Sequence, residues 1–425
     1  MDYIRKFDIE LEKEHYYAGE TLNGQIVVEN IENIRVRGIK VFLRGKAHVE
    51  WKIMRSGERR TVKEDQYFIE DKQSVWGKEH NDHDDKSNPI LHRGDHKFPF
   101  SFTLPESALP CSFESKIGTI RYYLRVTIDI PYYSPPQGLK YFTIIGPHID
   151  CMDERYLTAL TAEDKLTTCC FCCNKGPVVL KATLDRSGYC CGENIKLKAE
   201  VQNGSGNKVW LMVRLIQYVE YFINKGVLGL SKEIHHRVWE YKSDLVPAHH
   251  TTKFDDINTK LQVPVMPPTL IDVCKVIQIY YILRVSLGRD KAGEDLEIDF
   301  PMTIATVPFR IPNAPMPELK YEHGVDTAEG GMYISPEFQL GQVYDGTESG
   351  DETVLYRPVY ACVPHEKITV TNVPNCHEVC QHRDREQSEE SESNGDAIKM
   401  SEIPKNSKIG TACHKTDPCS STAKV

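Results

Sequence analysis

Internal duplication constrains this chain more than any other feature. Tyr17-Ala18-Gly19-Glu20 opens a stretch of apolar alternation that closes at Val28-Glu29-Asn30. Tyr189-Cys190-Cys191-Gly192-Glu193 opens a second stretch that closes at Val201-Gln202-Asn203, with the same spacing from Gly to Asn. Each half then ends on a matching segment. In the first it is Tyr122-Tyr123-Leu124-Arg125-Val126-Thr127, in the second Tyr281-Ile282-Leu283-Arg284-Val285-Ser286. A repeat this long is not a solenoid unit, which is far shorter. It predicts one β domain built twice in tandem.

The period of the apolar residues points to strands. Across 39–51 the odd positions are Ile39, Val41, Leu43, Gly45, Ala47, Val49 and Trp51. The even ones are Lys40, Phe42, Arg44, Lys46, His48 and Glu50. Alternation of this kind puts one face in a core and the other in water. Segments 120–130 and 277–287 repeat it. Only 153–164, between the copies, has helical character. Many strands, turn clusters such as Asn203-Gly204-Ser205-Gly206-Asn207, and no regular alternation of strand and helix predict an all-β chain of tandem immunoglobulin-type sandwiches.

The expected limits are 1–148 for the first sandwich, 149–175 for a linker and 176–312 for the second sandwich. Segment 71–97 is rich in Asp, His and Lys and is expected to form a long exposed loop. Beyond 312 the alternation ends, and 313–425 is expected to be a largely disordered tail.

Composition narrows the function classes. A 40% hydrophobic content over 425 residues is enough for real cores. The net charge of -9 counts against a nucleic-acid partner, which favours a basic footprint. The first residues contain no apolar signal core, and Asp2 excludes N-myristoylation. The most apolar run, 276–285, is interrupted by Gln278 and Arg284 and falls far short of the ~20 residues a bilayer span needs. The expectation is a cytoplasmic protein with peripheral membrane association only. In that reducing compartment the 14 cysteines read as thiols or metal ligands, not a disulfide framework. There is no Gly-rich phosphate loop, Gly-x-Ser-x-Gly elbow or His-Glu-x-x-His, so neither catalysis nor a cofactor is expected.

Several stretches resemble a known family. His96-Lys97-Phe98-Pro99-Phe100-Ser101-Phe102-Thr103-Leu104-Pro105 runs on to Leu109-Pro110-Cys111-Ser112-Phe113-Glu114 and Gly118-Thr119-Ile120-Arg121-Tyr122. This is similar to the N-terminal arrestin domain. Cys169-Cys170-Phe171-Cys172-Cys173, then Gly176-Pro177-Val178 and Gly188-Tyr189 with Gly192-Glu193, resembles the start of the C-terminal one. The match runs over roughly 5–312 and is to the α-arrestins, relatives of thioredoxin-interacting protein. It implies two arrestin-like β-sandwiches and a non-enzymatic adaptor. Such an adaptor binds integral-membrane cargo (receptors, transporters), recruits Nedd4-type HECT ubiquitin ligases, and acts at the plasma membrane and endosomes.

The candidate cargo-binding residues are Lys40, Arg44 and Lys46 on one polar strand face and Arg121 and Arg125 on another. Neighbouring strands would merge them into a basic surface for acidic or phosphorylated tails. An ordinary solvated strand face is the competing reading. The ligase-docking signal of the family, Pro-Pro-x-Tyr, is absent, and Pro358 with Tyr360 is the nearest residual form. Cys170, Cys173, Cys190 and Cys191 are the candidate zinc ligands, with lipidation as another use of the cluster. Asp82, His83, Asp84, Asp85, His92 and His96 form a looser Asp/His set. Ser388, Ser391 and Ser393 lie in an acidic run suited to phosphorylation. A thiol-dependent redox or metabolic regulator is the alternative from a different class. The stretch 246–252 that matches the reactive-cysteine region of thioredoxin-interacting protein has no cysteine.

Overall fold

Burial alternates along nearly every long strand, and that alternation sorts the chain into two sandwiches of two sheets each. The computed structural model describes residues 3–55, 57–77, 88–133, 135–167, 176–224, 229–289, 296–311, 313, 315, 317–330, 343–344 and 356–364. In the first sandwich one sheet holds Ile4–Leu11, Thr21–Asn30 and Gly94–Thr103. The facing sheet runs His15–Tyr16, Gln137–Ile144, Gly118–Asp129, Gly38–Arg55 and Glu58–Gly77. In the second sandwich Leu160–Leu166, Val178–Leu184, Leu197–Asn203 and His250–Phe254 form one sheet. Gly188–Cys190, Glu297–Ala305, Ile277–Arg289, Val209–Ile223 and Leu230–Val246 form the other.

The duplication extends to single hydrogen bonds. Gly19 and Gly192 both adopt left-handed backbone, with φ of 79° and 89°. In each turn the following glutamate folds back so that its Oε2 accepts the backbone N–H three residues before it. Tyr17 donates to Glu20 and Cys190 to Glu193. A cation seven residues upstream completes the turn, Lys13 in one copy and Arg186 in the other. Asn30 and Asn203 each use Nδ2 to tie three carbonyls of neighbouring loops. Tyr122 donates to Pro110 O, and Tyr281 to Pro267 O. Both sandwiches contain one parallel pairing, Tyr16 beside Ile144 and Tyr189 beside Ile304.

Phe98, Phe100 and Phe102 are all buried, as their alternation predicts, and each adds about 1.5–3 kcal/mol of apolar burial. The sandwiches meet around Gly118, where an added Cβ would lie 2.9 Å from the Tyr221 ring. Tyr221 and Ser115 share a hydroxyl hydrogen bond of 2.9 Å across the same seam.

Two expectations need correction. The helix expected over 153–164 is only Glu154–Leu157, because Leu160–Leu166 pairs in full with Val178–Leu184 and its alternating half-buried side chains favour the ladder. Within 71–97 both ends are strand, closing Glu58–Gly77 and opening Gly94–Thr103, so the exposed-loop expectation applies at most to what lies between. The tail expected to be largely disordered also carries a short ribbon, in which Lys320–His323 pairs antiparallel with Val359–Cys362. That ribbon straps the two sandwiches together. Tyr321 and Tyr17 hydroxyls lie 2.9 Å apart, and Val363 N donates to Cys191 O. Glu329 N donates to Gln217 Oε1 at 2.6 Å.

Candidate protein-binding face

Gly38–Arg55 is hydrogen-bonded to Gly118–Asp129 on one side and Glu58–Gly77 on the other. The even residues of the first strand and the odd residues of the second therefore share one face. Cross-strand partners form rows. One row is Leu139, Arg125, Phe42 and Lys72, and the next is Tyr141, Tyr123, Arg44 and Glu70. Arg121, Lys46 and Tyr67 make a third, and Gln137, Thr127, Lys40 and Ser74 a fourth. The structure thus brings Lys40, Arg44, Lys46, Arg121 and Arg125 onto a single surface.

Three of those five cations already hold a carboxylate. Arg44 Nη2 donates to Glu70 Oε1 at 2.8 Å. Lys46 Nζ lies 3.2 Å from Asp65 Oδ1, which is also 2.7 Å from His48 Nδ1. Burial raises the Asp65 carboxyl, but the hydrogen bonds from His48 and Lys46 outweigh it and hold it below its ordinary value. Arg121 grips Glu114 with both Nε and Nη2, at 2.7 and 2.9 Å. Only 2% of the Glu114 side chain is exposed, and burial outweighs Arg121 so that this carboxyl is held above its usual range.

Lys40 and Arg125 have no carboxylate within ion-pair distance among the described residues, and neither has Lys72 beside them. Arg125 and Lys72 flank the Phe42 ring instead, at 5.0 and 5.3 Å from its centroid. Such contacts contribute roughly 0.5–1 kcal/mol each when exposed. The aromatic row continues with Tyr123 and Tyr141 at 5.5 Å, and Tyr356 of the strap stacks on Tyr141 at 5.7 Å. The Tyr356 hydroxyl reaches Thr143 Oγ1 at 2.9 Å and Phe142 O at 3.1 Å. Burial chiefly pushes the Tyr141 phenol up to about 12. Phe42, Lys72, Tyr123 and Tyr141 were not singled out from the sequence, although the polar-face positions of Phe42 and Tyr123 were visible there.

Two family models match in succession. The N-terminal domain of arrestin (or S-antigen) covers residues 6–150 and the C-terminal domain covers 174–309. Together they span more than half of the chain. The chain belongs to the α-arrestin family. Arrestin domain-containing protein 4 of Homo sapiens is 28% identical over 308 residues, covering 69% of each chain. The Mus musculus protein of the same name is 27% identical over 301 residues, again 69% of each. Arrestin domain-containing protein 17 of Caenorhabditis elegans is 28% identical over 303 residues, 69% of this chain and 68% of the relative. These matches make this α-arrestin an adaptor of the arrestin type.

The remaining candidate residues fall elsewhere. Pro358 and Tyr360 do not present a docking motif. Tyr360 is 3% exposed within the strap, and its hydroxyl sits 3.2 Å from Ser112 O and 3.0 Å from Gly330 O. A WW domain would have to strip that tyrosine out of the interdomain seam. Cys170 and Cys173 lie outside the described residues. Cys190 and Cys191 are buried and face different carbonyls, Ala361 O and Met266 O. Burial pushes the Cys191 thiol up to about 12 and Cys274 up to about 11, which leaves little thiolate for redox chemistry. Of the Asp/His set, His96 Nε2 contacts His92 O at 2.7 Å and its ring stacks on Phe98. Asp82, His83, Asp84 and Asp85 lie outside the described residues, as do Ser388, Ser391 and Ser393.

Proposed function

We propose that this α-arrestin is a non-enzymatic adaptor that binds acidic or phosphorylated cytosolic segments of integral-membrane cargo and promotes their endocytosis, endosomal sorting or ubiquitination. The observation that carries the reading is the cationic, aromatic-lined face of the first sandwich, on which Lys40, Arg44, Lys46, Arg121 and Arg125 converge. Positive charge on a sheet face attracts acidic chains and speeds encounter. The expected location is the cytoplasm, with recruitment to the inner face of the plasma membrane and to endosomes. Coupling to Nedd4-type HECT ligases would need a route other than Tyr360, which the fold consumes.

Proximity labelling in cells tests this. Wild type is compared with a triple variant carrying Lys40→Glu, Arg44→Glu and Lys46→Glu. Labelled receptors and transporters are expected with wild type and fewer of them with the variant. Identical recovery of membrane proteins would remove the face from the mechanism.

A further inference from the structure

The strap meets the second Gly-Glu turn through a pair of cysteines. Cys191 and Cys362 face each other in an isolated parallel β-bridge, and Val363 N donates to Cys191 O at 2.8 Å. Residues opposite each other across such a bridge carry their side chains on the same side. Both thiols accordingly enter one apolar core, and both are buried there. Cys190 turns the other way, into a separate small cluster with Cys151. Among the six described cysteines, all of them free, Cys191 and Cys362 are the only pair in backbone register. Paired strands lie about 4.7–4.9 Å apart, inside the roughly 4.4–6.8 Å between Cα atoms that a disulfide spans. The thiols also sense each other. Burial chiefly raises the Cys191 thiol, Met266 O offsets part of that, and the nearby Cys362 thiol adds to it. Packing alone asks only for two small apolar side chains here. Thiols add the capacity to form a bond where tail and domain are already in register.

We propose that Cys191 and Cys362 are a redox latch, whose disulfide locks the strap onto the second sandwich. The oxidant is a low-molecular-weight disulfide such as oxidised glutathione. The closed pair reacts slowly, because burial keeps both thiols protonated. Exchange begins when the strap lifts and Cys362 meets water. Cys362 loses its proton to solvent, and its thiolate attacks one sulfur of the glutathione disulfide. A mixed disulfide forms, and one glutathione leaves as a thiolate that takes up a proton. As the strap swings back, Cys191 loses its proton to solvent and its sulfur attacks the Cys362 sulfur. The protein disulfide forms and the second glutathione leaves and is protonated. Two protein thiols are oxidised, and one glutathione disulfide is reduced to two glutathione thiols. The latch has a direction. Oxidation traps the closed form, in which Tyr356 stacks on Tyr141 and the Tyr360 hydroxyl reaches Ser112 O and Gly330 O. The bond acts mainly by removing freedom from the open state. Reduction returns the strap to its non-covalent contacts.

The test uses the full chain, first reduced and then exposed to excess oxidised glutathione. Free thiols are alkylated, and peptides are mapped by mass spectrometry without reduction. A cross-linked peptide joining Cys191 to Cys362 is expected, and dithiothreitol should remove it. Hydrogen exchange across Val359–Cys362 should slow by roughly ten-fold or more on oxidation. Cys362→Ala should abolish that slowing, while the reduced variant exchanges within about two-fold of reduced wild type. Cys190→Ala, whose side chain turns away, should keep the cross-link and so identify Cys191 as the partner. If Cys362→Ala fails to fold, mapping of the wild-type chain still decides. No cross-link under excess oxidant overturns the proposal. So does pairing of Cys362 with another cysteine, or a glutathione adduct that stays on Cys362. A Cys191–Cys362 bond that leaves exchange in the strap unchanged overturns it as well, because the bond would then lock nothing.

Discussion

The two Gly-Glu turns allow a controlled comparison, because one motif sits in two environments. Glu193 Oε2 accepts Cys190 N at 2.8 Å and Arg186 Nη2 at 3.1 Å, and Oε1 accepts Phe309 N at 3.2 Å. Arg186 is held between the Tyr189 and Phe309 rings, at 4.2 and 4.5 Å, with 7% of its side chain exposed. Glu193→Ala leaves that guanidinium buried, with Gly188 O still accepting from its Nη1 at 2.6 Å. Removing one partner of a buried pair costs about 3–5 kcal/mol. Glu20 makes the same turn at the surface, with 34% of its side chain exposed and Lys13 at 43%. Solvent screening limits that pair to at most ~1 kcal/mol, and the lost Tyr17 N–H bond adds ~1 kcal/mol. Hydrogen exchange read by mass spectrometry reports each sandwich separately. Glu193→Ala should speed exchange in the second sandwich by roughly 10²–10³-fold, taking 1.4 kcal/mol per factor of ten. Glu20→Ala should speed the first by about ten- to thirty-fold, an effect that shrinks further in high salt. Equal costs for the two substitutions would refute the claim that burial of the cation sets the difference.

Gly19→Ala and Gly192→Ala make a second pair. Both face a left-handed φ, but a Cβ at Gly192 would lie 2.1 Å from Val363 O while Gly19 has only Glu106 nearby at 3.6 Å. Gly192→Ala should lower the melting temperature markedly more than Gly19→Ala, and similar shifts would mean the strap does not press on this turn. Truncation after Asn313 should destabilise both sandwiches by calorimetry, and Tyr360→Phe by about 0.5–1.5 kcal/mol, whereas a passive tail would show neither effect. Burial, and then Glu233 directly across the ladder, hold the Glu220 carboxyl above its ordinary value, with Tyr280 bonded to both. Stability from this site is therefore full below the unfolded pKa and lost as pH rises through the folded one. Glu220→Gln should melt higher than wild type at pH 7.5 and lose that advantage at pH 4; an unchanged difference across that range would count against proton sharing.

Architecture was legible because period-two burial and the Gly-to-Asn spacing are local signals. Phe98, Phe100 and Phe102 announce a core strand without any partner in view. The site was legible only as a list of cations. Which of them are neutralised depends on cross-strand register, and the Glu58–Gly77 partner slips by one residue at Gly45/Lys46. That slip places Tyr67 opposite Lys46. No sequence period reveals such a shift. The strap was missed for a different reason. Lys320–His323 and Val359–Cys362 are four residues each, too short to show alternation, and their order comes from contacts with residues such as Tyr17 and Ser112, hundreds of positions away. The Lys13 and Arg186 partners of the two turns were visible at identical spacing, but a lone cation before a turn carries no signal until its carboxylate is located.

The strap also sets a timetable for biosynthesis. Both sheets of the first sandwich can form once Gln137–Ile144 has emerged, yet the strand Val343–Tyr344 that pairs on Gln137–Ile144 comes later, Ser112 waits for Tyr360 and Phe142 waits for Tyr356. At ~5–20 residues per second, translation of the intervening chain leaves that surface open for roughly 10–40 s. During this interval Ser112 O and Phe142 O wait for the hydroxyls of Tyr360 and Tyr356, so folding yield should depend on translation speed and on chaperone occupancy at that place.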